Sequence, residues 1–440
     1  MSQPARPARE LLDAVAPGSR PLPVGFEAGP AGGPLGWPGY DAGLARAAAR
    51  SGEAEAVVAR VGRVGECEAV LLAFEFGFLG GSIGRAAGAR IGAALRTARD
   101  LRLPVVSLLA SGGTRVQEGM HALTQLQAIA REMVRLRAAG LPQLAVLAGP
   151  VTGGSWATLG AGADVRLALP GVQVGFSGAR VRPEGADPAA YTAEAQAAAG
   201  QVDALVAWEE LPGAVAGWLA LLTRPARGPV PPPSVPGGGA PPATGWEAVE
   251  RARSAGRPRA RAHLAAAFGR LAPLACPDPG LLVGLGEAGG RSAGYVAQLG
   301  TRTTPAGFRS ATRLIRLADR LSIPVLTLVD TPGAANDARA EREGVGAAVA
   351  ETITALAAAR VPVTTLVVGE GGSGGAVALT APGRIWVTPG SYYSVLAPEP
   401  AAAVLKRDVS DPSAVAEVAE RLRLRPQDLV AMGLARGIVG

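Results

Sequence analysis

Hydrophobic and polar positions along this chain fall into blocks, and the same order of blocks occurs twice. A strand-rich stretch from Val57 to Phe76 breaks at Gly65, and another from Leu281 to Gly300 breaks at Gly289-Gly290, so each predicts a β-hairpin. Helical periodicity follows in both, over Ile91 to Ala98 and over Ala311 to Ala318. A mainly apolar strand then enters a glycine turn: Pro104 to Leu109 runs into Ser111-Gly112-Gly113, and Pro324 to Val329 into Thr331-Pro332-Gly333. A second apolar strand closes each block. Leu144 to Leu147 leads to Thr152-Gly153-Gly154-Ser155, and Val363 to Val368 leads to Gly371-Gly372-Ser373-Gly374-Gly375. Gly113 to Gly333 is 220 residues and Gly154 to Gly375 is 221, so the pattern predicts two copies of one ββα-based α/β fold.

Between the copies, Arg224 to Thr244 is dominated by proline and glycine, which a helix or central strand does not tolerate. The expected organisation is an N-terminal domain over 1–223, a linker over 224–244 and a C-terminal domain over 245–440. With 48% hydrophobic residues in 440, each copy can bury its own core. The start, Met1 to Arg6, has no apolar run behind its charges, and no stretch approaches the roughly 20 apolar residues of a membrane span. A cytoplasmic protein is expected.

A net charge of +7 raises the question of nucleic acid, but arginine carries it: Lys406 is the only lysine. Arg85, Arg90, Arg96, Arg99 and Arg102 are spread along an amphipathic stretch, with no basic tail and few aromatics to stack bases, so a solvated arginine surface is the simpler reading and no nucleic-acid partner is expected. One lysine, in Val404-Leu405-Lys406-Arg407-Asp408, excludes a Walker-A loop, Schiff-base chemistry and a biotinylated lysine on this chain. His121 and His263 are the only histidines, each in a helical run without a partner motif. Cys67 and Cys276 lack ligand spacing and are expected to be buried structural thiols, so no metal is expected. Backbone amides remain as the principal source of chemistry.

The glycine turns can provide it. Without a Cβ the chain turns sharply after a strand, and the next N–H groups point outward with no carbonyl to meet them. Two such donors converging on one oxygen form an oxyanion hole.

Three motifs of the first half, Phe74-Glu75-Phe76-Gly77-Phe78-Leu79-Gly80-Gly81-Ser82-Ile83-Gly84, Ala110-Ser111-Gly112-Gly113-Thr114-Arg115 and Gly175-Phe176-Ser177-Gly178-Ala179-Arg180-Val181, resemble the β subunit of bacterial acetyl-CoA carboxylase carboxyltransferase. In the second half, Pro305-Ala306-Gly307-Phe308-Arg309, Asp330-Thr331-Pro332-Gly333-Ala334, Gly369 to Ala376 and Tyr393-Ser394-Val395 resemble its α subunit. The resemblance spans about Val57 to Val181 and Leu281 onward, and it is that of a β-α fusion. It implies tandem crotonase-like domains in a ββα superhelix and carboxyl transfer from carboxybiotin to acetyl-CoA or another short acyl-CoA. By matching motif, Gly153 and Gly154 would stabilise the thioester enolate, and Gly374 and Gly375 the ureido oxygen of biotin. Gly81, Gly84, Gly112, Gly113, Arg180, Gly333 and Ala334 would shape the substrate pockets. The implied partners are an acyl-CoA, a biotin carboxyl carrier protein, a biotin carboxylase and a second copy of this chain, with the site shared between protomers.

The sequence departs from the family at three places. The family's β subunit usually opens with a four-cysteine zinc ribbon, and no cysteine precedes Cys67. Ala179 and Arg182-Pro183 stand in a loop that usually reads Gly-Pro-Arg-Val-Ile-Glu, and Ala335-Asn336-Asp337 replaces Tyr-Pro-Gly. Two further readings share the scaffold: a biotin-independent malonyl-thioester decarboxylase, and a non-catalytic scaffold subunit. For the amide mechanism, a Gly375→Val change is expected to displace the donors while the turn relaxes locally.

Overall fold

The computed structural model describes residues 5–24, 30–236 and 239–440; Met1–Pro4 and the Gly237-Gly238 pair lie outside the described residues. The chain separates into two compact units, Met1–Thr223 and Arg224–Gly440.

In the first unit, strands Val57–Val64 and Cys67–Phe74 form an antiparallel hairpin, closed by Gly65 at φ +58°. Cys67–Phe74, Val105–Ser111, Gln143–Thr152 and Val165–Ala168 then run parallel in that order. Val105–Ser111 is buried at every position, as an apolar run without alternation requires of a strand covered on both faces. Helix Arg85–Asp100 buries Ala87, Ile91, Ala94, Leu95 and Ala98, a stripe at three- and four-residue spacing. Helix Gly119–Ala138 links the Val105–Ser111 and Gln143–Thr152 strands.

The second unit repeats this. Hairpin Leu281–Ala288 and Arg291–Gln298 closes through Gly289-Gly290, and Val325–Thr331, Val363–Gly372 and Ile385–Val387 follow in parallel. Helix Pro305–Arg320 starts with Pro305 in its first turn and the Thr304 hydroxyl accepting from the Gly307 N–H, the standard chemistry of a helix start. Its core gathers Tyr295, Leu326, Leu328, Leu366 and Val368.

The repeat extends to irregularities. Both central strand pairs carry a register shift, between Leu109 and Ser111 and between Val329 and Thr331. Helices Arg85–Asp100 and Pro305–Arg320 are each followed, two residues past the end, by a non-glycine residue of positive φ, Arg102 and Ser322, 220 positions apart.

The Pro/Gly-rich stretch carries no regular element from Arg224 to Thr244 among its described residues, yet it packs on the second unit. Ala226 N–H donates to Ser292, Ser292 N–H donates to Arg224, and Val230 is buried in the core.

Candidate functional site

Each unit brings its two glycine turns together at the end of its parallel strands. In the first, the Ile83 N–H donates to Gly113 and the Arg115 N–H donates back to Ile83. In the second, Thr303 and Ala335 exchange the matching bonds with Gly333 and Thr303, again 220 positions on. The turns are tightened by hydroxyls two residues earlier: the Gly113 N–H reaches Ser111 Oγ at 3.2 Å and the Gly333 N–H reaches Thr331 Oγ1 at 3.1 Å. Gly113 has φ +104° and Gly333 φ +144°, so these two positions need glycine for conformation alone.

The second turn packs against the first. A Cβ on Gly113 would lie 3.3 Å from the Thr152 carbonyl and 3.7 Å from the Gly154 nitrogen. A Cβ on Gly375 would lie 2.3 Å from the Ala334 nitrogen. Gly112, Gly113, Gly153 and Gly154 are therefore neighbours, as are Gly333, Ala334, Gly374 and Gly375. Gly374 differs from its neighbours in being exposed, with nothing within 4 Å of a Cβ.

Two details of the sequence reading change. The expected Gly154 to Gly375 register is displaced by one: strands Gln143–Thr152 and Val363–Gly372 end 220 residues apart, which aligns Gly153 with Ser373 and Gly154 with Gly374. The left-handed residue that starts each turn is Gly153 at φ +59° and Ser373 at φ +53°. Of the Gly153-Gly154 pair, the Gly153 N–H already donates to the Phe176 carbonyl at 2.9 Å. The Gly154 N–H follows a strand and has no helical carbonyl four residues back.

Gly81 and Gly84 stand close to this first turn for packing reasons. A Cβ at Gly81 would meet the Ala110 carbonyl at 2.0 Å, and one at Gly84 would meet Glu118 Oε1 at 2.2 Å. The Gly112 N–H donates to the Gly80 carbonyl at 2.8 Å. Arg180 is exposed in the short helical turn Ala179–Val181, and the nearby Gly178 would bring a Cβ 3.5 Å from Thr152 Oγ1. An exposed apolar side chain flanks each second turn, Phe176 at 72% and Val395 at 70% exposure, because short strands Val174–Gly175 and Tyr392–Ser394 pair beside the strand ends.

Behind the turns lie ionic clusters to which sequence reading assigned no role. Arg115 is buried and donates to Glu55, Glu118, Tyr40 and both Ser82 oxygens. Burial opposes its charge, but the hydrogen bonds and charge of Glu55 outweigh this and hold the guanidinium pKa above its ordinary value. Burial, followed by the hydrogen bond to Glu118, pushes Tyr40 up to about 12. Beside this cluster is a cavity of about 780 Å³ that Arg85 and Arg96 line. In the second unit, fully buried Asp330 receives both oxygens' worth of hydrogen bonds from Arg257 Nη2 at 2.7 Å, and Arg257 Nη1 also donates to the Val368 carbonyl at 3.0 Å. The arginine thus ties the ends of two adjacent strands. The only sequence signal for these clusters was the presence of Arg115 and Asp330 inside the quoted motifs.

Among the described residues, neither histidine is hydrogen-bonded to a residue of the turns, though His263 lines a pocket with Arg257. His121 is exposed, and His263 is buried, which lowers its pKa. Cys67 and Cys276 are half-buried, a correction to the buried reading, because one lies next to the hairpin turn and the other in a loop. Among the described residues there is no cluster of three or more metal-ligating side chains, and no helix is long and apolar enough to cross a membrane.

Residues 281–440 match the family described as acetyl co-enzyme A carboxylase carboxyltransferase-like, and residues 40–204 match the carboxyl transferase domain family. The chain is 36% identical to the acetyl-coenzyme A carboxylase carboxyl transferase subunits beta/alpha of Saccharopolyspora erythraea, over 91% of this chain and 74% of that one. It is 38% identical to the corresponding protein of Salinispora tropica, over 89% and 75%. In fold it is similar to transcarboxylase 12S, solved as a hexamer with methylmalonyl-coenzyme A bound, with a TM-score of 0.81 at 22% identity, covering 99% of this chain and 87% of that one. The fold is that of carboxyltransferase domains. The chain belongs to the acetyl-CoA carboxylase carboxyltransferase family, in its fused beta/alpha form.

Proposed function

We propose that the chain transfers a carboxyl group between carrier-borne biotin and a short acyl-CoA, with one amide turn in each unit serving one substrate. The observation that carries this reading is the repeated pair of turns. Each unit has a turn at the end of its parallel strands whose first amides follow a strand, and Gly374 is exposed, with nothing within 4 Å of a Cβ.

The Gly154 N–H is assigned to the thioester oxygen, where negative charge grows as the α-proton leaves. Such donors act mainly in the transition state, so they raise turnover more than binding. The Gly374 and Gly375 amides are assigned to the ureido oxygen. Biotin on its carrier supplies the carboxyl group and, once that has left, a ureido nitrogen that takes the α-proton. No side-chain base is required, which suits a chain with only two histidines. Arg85 and Arg96, lining the cavity near Gly81 and Gly84, and exposed Arg180 offer cations for the phosphates of coenzyme A. The division of labour follows the expected domains, with 1–223 binding the thioester, 245–440 the biotin, and 224–244 joining them.

The reading requires a first unit and a second unit to act together, and because the family resemblance implies that these come from different protomers, a homodimer or larger assembly is part of the proposal. So are a carrier protein and a biotin carboxylase on other chains, and a cytoplasmic setting. The direct test is carboxyl transfer from purified carboxylated carrier to a panel of acyl-CoAs. Carboxylated product with at least one of them is expected, and none with any of them removes the reading.

A further inference from the structure

Gln298 is a buried, uncharged side chain at the end of strand Arg291–Gln298, with no solvent exposure. Its amide reaches three separate pieces of backbone architecture. Nε2 donates to Thr303 Oγ1 at 2.9 Å and to the Gly375 carbonyl at 3.2 Å, and Oε1 accepts from the Asp330 N–H at 3.3 Å. Asp330 sits in the register shift between Val329 and Thr331, and its amide faces the other neighbour, strand Arg291–Gln298, whose pairing stops at Ala297 and Leu328, so no ladder carbonyl meets it. A buried N–H without a partner is costly, and Gln298 is what satisfies it. Thr303 in turn exchanges backbone bonds with Gly333 and Ala335. One side chain therefore connects the bulge, the Gly333–Ala335 turn and the Ser373–Gly375 turn.

The first unit has a different device at this place. There Ser111 Oγ and Ser155 Oγ are hydrogen-bonded at 2.6 Å, which ties its two turns directly. The residue aligned with Ser155 is Gly375, 220 positions on, which has no hydroxyl to offer. A long amide arriving from the neighbouring strand replaces it.

We infer that Gln298 is a positioning residue, fixing the spacing between the Gly333–Ala334 turn and the Ser373–Gly375 turn on which carboxyl transfer to or from biotin depends. It touches no substrate, and it acts through the amides it aligns. The inference rests on the assignment of Gly374 and Gly375 to the biotin oxygen.

The test uses the full chain, following carboxyl transfer from malonyl-CoA to free biocytin, with circular dichroism and thermal melting alongside. Gln298→Met keeps the volume and removes all three bonds, while Gln298→Glu keeps an acceptor and removes the donors. Displaced catalytic geometry costs roughly 10- to 100-fold in turnover. Both variants are expected to lose kcat on that scale while KM for malonyl-CoA stays within twofold, because the thioester turn lies in the other unit. Thr303→Val, which removes one partner and leaves Gln298 in place, should show the same split at about 3- to 10-fold, and it stands as the test if the Gln298 variants do not fold. A folded Gln298→Met protein with kcat within threefold of wild type overturns the inference, as does a rise in KM for malonyl-CoA with kcat unchanged. Gly374→Val separates the two levels: if it is inactive while Gln298→Met is not, only the positioning role fails, and if it turns over normally, the assignment of the turn fails.

Discussion

Valine at position 374 isolates the chemistry of the second-unit turn from its packing. A Cβ there meets nothing within 4 Å, and the backbone is outside the left-handed region, so the side chain projects into open space. Exchanging glycine for valine within a helical turn is worth only about a few tenths of a kcal/mol, in the stabilising direction. The fold and melting temperature should hold. The branched side chain does occupy the approach to the amides, and losing one well-placed oxyanion donor costs roughly 10²- to 10³-fold in turnover. Gly375→Ala behaves oppositely. Its Cβ would sit 2.3 Å from the Ala334 nitrogen and 2.4 Å from the Gly333 carbonyl carbon, both backbone atoms that cannot rotate away. Overpacking of that kind costs roughly 1–3 kcal/mol or more and separates the two turns, so stability and activity should fall together. The local relaxation that sequence alone suggested for Gly375→Val has no room to occur. The assay is carboxyl transfer from carboxylated carrier, with thermal melts on every variant and His121→Gln as a control expected near wild type. A folded Gly374→Val protein with wild-type turnover, or an inactive His121→Gln protein, refutes the reasoning.

Other consequences follow from the buried charges and the assembly. Arg115→Met leaves Glu55 and Glu118 without their cation and should cost about 3–5 kcal/mol in the first unit's urea unfolding; a loss below about 1 kcal/mol contradicts the role given to the cluster. His263, whose pKa burial lowers from 6.5, binds a proton less readily folded than unfolded, so it contributes a loss of stability that begins as pH falls through about 6.5 and is absent above it. His263→Gln should flatten the decline in urea midpoint between pH 7 and pH 5, and an unchanged slope argues against that origin. Light scattering at micromolar concentration should give at least a dimer, and an active monomer excludes a site shared between chains.

What the sequence disclosed follows from how local each feature is. The hairpins, the long helices and the turns at Gly113 and Gly333 rest on apolar runs and on glycines forced by positive φ, which neighbouring residues signal. The one-residue error at the second turn arose because a Gly-Gly pair looks like the anchor, whereas the anchor is the left-handed residue, and in the second unit that residue is Ser373. Nothing local marks a serine for that conformation. The Gln298 links were invisible for another reason: Asp330 is 32 residues away and Gly375 is 77, so only the folded sheet brings them together. The Pro/Gly-rich stretch read as a linker from its composition, which says what backbone it cannot form but not that Val230 finds a place in a core.

The most direct measurement follows malonyl-CoA consumption by the full chain with and without free biocytin. Carboxyl transfer to biotin predicts consumption that depends on biocytin, with carboxylated biocytin and acetyl-CoA formed in equal amounts. Decarboxylation at the same rate without biocytin, or no turnover in this assay and none from carboxylated carrier to any acyl-CoA, contradicts the account.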